Sequence, residues 1–167
     1  MITAVEGSDA WRVTSYGFVH DTEHALVRDF GASGSVEVAF VCDYSEQFDQ
    51  AGIFVRIDDL TWVKAGVEYA DGVPQVGAVV THGSSDWSVA PVPDWHGRVV
   101  RIRVSRAGDA LTVRAGLDGG ELRLVRVAPF PEGRPAEAGP YVCAPTRPGL
   151  TVRFTDWSTG LADASLH

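Results

Sequence analysis

The chain is short of cysteine, lysine and helical periodicity, and each shortage closes off a class of readings. Its two cysteines, Cys42 and Cys143, have no CxxC spacing and no histidine beside them, so no zinc site is expected. Both fall in apolar strand patterns and read as buried free thiols of a reducing compartment. No apolar run approaches the ~18 residues of a spanning helix. The opening MITAVEGSDAW has neither the basic n-region nor the apolar h-region of a signal peptide, and the reading is cytoplasmic. Positive charge is scarce as well, with a net charge of −8. That disfavours nucleic acid, whose phosphates need a basic surface, and docking on anionic lipid. Thirteen of the fourteen basic residues are arginine, and Lys64 is the one lysine. There is no G-x-S-x-G motif and no phosphate-cradling glycine loop, so neither a nucleophilic serine nor a bound cofactor is expected.

What is present is alternation. Apolar residues recur at period two between turn signals, and eighteen glycines and nine prolines punctuate them, as in an all-β sandwich or barrel. Strands are expected around Trp11–Val13, Ala25–Phe30, Ser35–Asp43, Ile53–Ile57, Thr61–Tyr69, Gln75–Thr81 and Asp86–Ala90. More follow at Val99–Val104, Leu111–Ala115, Glu121–Val127, Tyr141–Ala144 and Leu150–Trp157. Gly83–Ser85 and the Pro/Gly-rich 129–140 read as loops. So many strands exceed one open sheet and predict two packed sheets. Residues 1–160 read as a single β-sandwich domain, and Leu161–His167 as a loosely ordered tail.

The stretch Gln50–Ser88 holds the functional signal. Alternation sends Val63, Ala65 and Val67 to the core and Trp62, Lys64, Gly66 and Glu68 to the other face, with Arg56 on the neighbouring strand. A tryptophan among charged groups on a sheet face suits a ring-shaped ligand: an apolar plane to stack on, with donors and acceptors at the rim. The plain alternative is cross-strand ion pairing among Arg56, Lys64 and Glu68. In the following loop, Asp86 and Trp87 read either as turn cap and core anchor or as further wall. A lone lysine among apolar neighbours can have its pKa lowered, which would let Lys64 and Glu68 act as an acid–base pair. His20 and His24 lie four apart, a spacing that faces both one way only on a helix. In a turn they read as rim residues of the same face, and no metal is expected. The chain lacks the paired-carboxylate strand of a glycosidase.

The segments SDAWRVTSYGFVHDTEHALV, QAGIFVRIDDLTWVKAGVEYADGVPQVGAVVTHGSSDWS and GPYVCAP…LTVRFTDWS resemble the concanavalin-A-like family of unknown function typified by the regulation-of-enolase protein. The most distinctive parts are Trp62–Tyr69 and Val79–Ser88. Where the family has Thr-Asp-Phe-Trp, this chain has Ser8, Asp9, Ala10 and Trp11. The resemblance implies a two-sheet jelly roll with a concave face, of the lectin and glucanase type. The expected function is a module that binds a small polar ligand, a carbohydrate or metabolite, on that face through Gln50, Arg56, Trp62, Lys64, Glu68, Asp86, Trp87, His20 and His24. The alternatives are an enzyme using Lys64 and Glu68, or a regulatory protein-interaction domain.

Overall fold

The computed structural model describes residues Met1–His167. It is an all-β jelly-roll sandwich with one 3-10 turn, Pro93–Trp95. No helix is long and apolar enough to cross a membrane.

Four very short strands come first: β1 (Ile2–Thr3), β2 (Ala10–Arg12), β3 (Val19–Asp21) and β4 (His24–Ala25), followed by β5 (Arg28–Asp29). The long strands are β6 (Gly34–Val41), β7 (Gln50–Asp58), β8 (Thr61–Ala70), β9 (Val73–His82) and β10 (Ser84–Pro91). After them run β11 (Val99–Ala107), β12 (Ala110–Leu117), β13 (Arg123–Pro129), β14 (Glu137–Cys143), β15 (Thr151–Val152) and β16 (Phe154–Gly160). One sheet has the order β10-β9-β8-β7-β14-β4, with β5 also on β14; the other is β13-β12-β11-β6-β16. β2 pairs with β3, and β1 with β15.

The alternation read from the sequence is the alternation observed. Val36, Val38 and Phe40 of one sheet meet Ile53, Val55 and Val67 of the other in a single buried cluster. Each such side chain withdrawn from water contributes ~1.5–3 kcal/mol. Cys42 and Cys143 are buried free thiols. Asp71 and Gly72 make the β8–β9 turn with φ of 54° and 85°, the left-handed pair of a type I′ hairpin.

Three loop expectations are corrected. Ser84 and Ser85 belong to β10, leaving Gly83 alone between β9 and β10; its φ of 78° suits glycine. The stretch from Glu137 to Pro140 is strand β14, tied by register to Arg56–Ile53 of β7. Pro140 has no N–H to give a ladder, and the gap between β4 and β5 falls opposite it, where the Leu26 N–H donates to the Pro140 carbonyl. At the C-terminus Asp163, expected in a loose tail, accepts bonds from Arg103 (2.9 Å) and Arg114 (2.6 Å).

Candidate functional site

The register of the seven-stranded sheet lays its outer face out in rows. Gln50, Glu68 and Gln75 are cross-strand partners, then Gly52, Gly66 and Gly77, then Phe54, Lys64 and Val79, then Arg56, Trp62 and Thr81. In the second row a Cβ on Gly66 would lie 2.1 Å from the Ala51 carbonyl oxygen, and one on Gly52 2.0 Å from that of Ala65. These strands approach too closely for any side chain there, and the floor between Lys64 and Glu68 stays bare.

The N-terminal segment folds over this face. Ser8 anchors it, accepting the Ala144 N–H at 3.1 Å. Arg12 fixes the far side, its backbone N–H on Ser85 Oγ at 2.9 Å and its Nε on the Gly83 carbonyl at 3.0 Å. Between these anchors Asp9 Oδ1 accepts from Lys64 Nζ at 2.7 Å, from its neighbour Ala10 N at 2.8 Å and from Gln50 Nε2 at 3.5 Å. Trp11 and His20 are partners across β2 and β3, so both fall on one side of that hairpin.

The result is a cavity of about 330 Å³ lined by Asp9, Trp11, Tyr16, Phe18, His20, Phe48, Gln50, Lys64, Glu68 and Trp87, among others. Its walls are aromatic: Tyr16 stacks on Phe18 at 5.2 Å, and the other ring contacts are edge-on. Trp11 meets Trp87 edge-on at 6.3 Å and Tyr16 at 5.6 Å, and Phe18 meets His20 at 4.5 Å. A second hollow, large enough for about one water (~10 Å³), lies over the glycine row beside Glu68.

The polar groups of the cavity are unevenly satisfied. Lys64 is 4 % exposed. Burial disfavours its ammonium, but Asp9, with Cys143 and Glu68 adding to the field, more than offsets this and holds its pKa above the usual lysine range. The lowered pKa expected from its apolar neighbours is therefore corrected: the counter-charge comes from Asp9, 55 positions away in sequence. Lys64 is a fixed cation. Gln50 is spent on the floor, donating to Asp9 and to the Phe48 carbonyl (3.2 Å) and accepting from Tyr141 Oη at 3.5 Å. Glu68 differs. Its Oε1 is buried with no hydrogen-bond partner. Burial pushes its pKa up to about 7, with the help of Asp9 and against the pull of Lys64 and of the nearby Trp87 indole N–H.

Of the nine residues expected at the site, Gln50, Lys64, Glu68, Trp87 and His20 line the cavity. Four do not. Arg56 stands six residues along β7 from Gln50, roughly 20 Å at strand rise, and faces Glu137 at 3.7 Å. Trp62 is 4 % exposed and packs with Phe54 and Trp11 under the N-terminal segment, so it has no free ring face. Asp86 neighbours Trp87 on one strand, and neighbours point to opposite faces; its carboxylate takes a bond from Arg126 at 2.9 Å. His24 is the partner of Val142, a core position, and its Nδ1 donates to the Thr3 carbonyl at 2.9 Å.

Sequence reasoning missed Asp9, Trp11, Tyr16, Phe18 and Phe48. The signal for four of them lay in the opening segment, where Asp9 and Trp11 keep the family pattern and Trp11, Tyr16, Phe18 and His20 crowd aromatic rings into ten residues.

Residues 1–161 match the family described as "Protein of unknown function (DUF1349)". The chain is 41% identical to "Regulation of enolase protein 1" of Saccharomyces cerevisiae over 163 residues, 97% of this chain and 82% of that protein. A crystal structure of a functionally unknown Saccharomyces cerevisiae protein superposes with a TM-score of 0.91 at 38% identity, covering 98% of this chain and 88% of that one. The xylan beta-1,4-xylosidase of Bacillus halodurans C-125 shares the fold at a TM-score of 0.68 and 14% identity, over 92% of this chain but 31% of the enzyme.

Proposed function

The chain belongs to this DUF1349 family of unknown function, and from that starting point we propose that it is a binding module for a small polar ligand. The ligand, a carbohydrate or metabolite, occupies the cavity between β8 and the N-terminal hairpin. The observation that carries this reading is the cavity itself. Aromatic walls enclose the Glu68 carboxyl group beside the buried Asp9–Lys64 pair. At about 330 Å³ the cavity sits at the low end of ligand pockets, ~300–1,000 Å³, which fits a small molecule better than a polymer. Trp11 and Trp87 give the ring faces, and Glu68, Asp9 and Lys64 the polar contacts. His20 stands at the rim. The two free thiols suit a reducing, cytoplasmic setting.

A thermal-shift and tryptophan-fluorescence screen of sugars and metabolites tests the proposal, since two tryptophans line the cavity. The expected hit shifts wild type and is lost in Trp87→Ala. A hit bound equally by both proteins contradicts the site.

A second reading, catalysis, rests on one observation: a carboxyl with a pKa of about 7 is poised for general acid or base work near neutral pH. Glu68 would move the proton, and Lys64, held charged by Asp9, would stabilise negative charge. Turnover of a screening hit, abolished in Glu68→Gln, would favour it.

A further inference from the structure

The charges around the cavity narrow the ligand further than its shape does. Thirteen arginines are available in this chain, yet none lines the cavity. Guanidinium is the group that grips carboxylates and phosphates in bidentate fashion. The one lysine there is already committed at 2.7 Å to Asp9. Acceptors, by contrast, are in surplus. The Glu68 carboxyl group lines the cavity beside the Lys64–Asp9 pair. The Asp9 carboxylate takes its bonds from Ala10, Gln50 and Lys64 all on Oδ1, which leaves Oδ2 for an outside donor. A pocket with spare acceptors and no spare cation offers an anion nothing to pair with, and burying an unpaired anion is costly.

We propose that the cavity selects an uncharged, hydroxyl-bearing ring, taking its hydroxyl protons on Glu68 and Asp9 while Trp11 and Trp87 flank its apolar surface, and that it rejects the carboxylated or phosphorylated form of the same ring. The inference rests on the binding reading above. It adds the charge class of the ligand.

The test is a fluorescence titration of the whole chain with a matched set of probes: glucose and xylose with their methyl glycosides, glucuronate and glucose 6-phosphate. The expected result is saturable binding of a neutral member, at least about tenfold tighter than its carboxylated or phosphorylated counterparts. That binding is absent in Trp87→Ala, a half-exposed position whose truncation leaves the core intact. In Glu68→Gln, which removes an acidic oxygen while keeping its shape, the discrimination against glucuronate shrinks. If glucuronate or the phosphate binds wild type as tightly as the neutral sugars and Trp87→Ala abolishes it, the binding module stands and the charge selection falls. Unchanged discrimination in a folded Glu68→Gln removes Glu68 from the selection. Silence from the whole panel overturns this inference and removes carbohydrate from the ligand classes proposed above.

Discussion

The two outer faces of the sandwich carry charged residues at the same alternate positions and do opposite things with them. On the five-stranded sheet Glu37 accepts from Arg101 at 2.9 Å and from Arg103 at 3.5 Å, while Asp163 takes Arg103 and Arg114. Glu37, Arg101, Arg103, Arg114 and Asp163 each meet an opposite charge on a neighbouring strand or the C-terminal segment. That face is closed on itself. On the seven-stranded sheet one cation, Lys64, serves Asp9 and lies near Glu68, and an acidic oxygen is left over. Aromatic rings roof that leftover where solvent would otherwise satisfy it. Charge on a sheet face is thus no sign of a site. The sign is charge that the protein surrounds and then fails to satisfy.

The largest effect expected from breaking this contrast comes at Asp9. Asp9→Asn leaves the Lys64 ammonium buried without its counter-ion, and losing one member of a buried pair costs ~3–5 kcal/mol. Chemical denaturation should report that loss, and Asp9→Asn with Lys64→Met should recover much of it. A loss under ~1 kcal/mol would mean that Asp9 does not fasten the N-terminal segment.

Glu68 comes next, through pH. Its folded pKa is raised, from 4.5 to about 7, so the folded state holds the proton more tightly than the unfolded chain. Its contribution is full below about 4.5, falls as pH rises toward 7 and levels off above. Glu68→Gln removes that decline. Measured from pH 5 to 8, the variant should gain stability over wild type, by up to ~3 kcal/mol and less where water enters the cavity. Parallel curves for the two proteins would place an ordinary carboxyl at position 68.

The smallest effect belongs to the closed face. Asp163→Ala should cost about 1 kcal/mol, as for partly exposed ion pairs, and should leave ligand titrations unchanged. A change in binding would mean that the two faces are coupled through the core.

Much of the fold could be read from residues alone, because Val36–Cys42 and Thr61–Tyr69 alternate without a break and Asp71-Gly72 turns the chain. Strand β14 could not, since Gly139 and Pro140 carry loop chemistry; Pro140 is tolerated because the facing strand is interrupted, and Gly139 is required because the Leu26 carbonyl leaves no room for a Cβ. The site was half legible. Lys64 and Glu68 stand out by type and spacing, but Trp62 was misjudged because its cover, Trp11, lies 51 positions earlier in the sequence. Asp86 and Trp87 were taken together although the pleat sends them apart. Asp9 carries no local mark, and only the folded chain brings it to Lys64. Sequence alone presents Lys64 as a titratable base, and the Asp9 carboxylate makes it a fixed cation.

Chemical-shift mapping of the whole chain with a neutral methyl glycoside tests the central claim most directly. The account predicts saturable shifts at the Trp11 and Trp87 indole N–H groups and along Asp9–His20 and Lys64–Glu68, with Arg101, Arg103 and Arg114 still. Shifts centred on those arginines, with the two indoles unmoved, would contradict it.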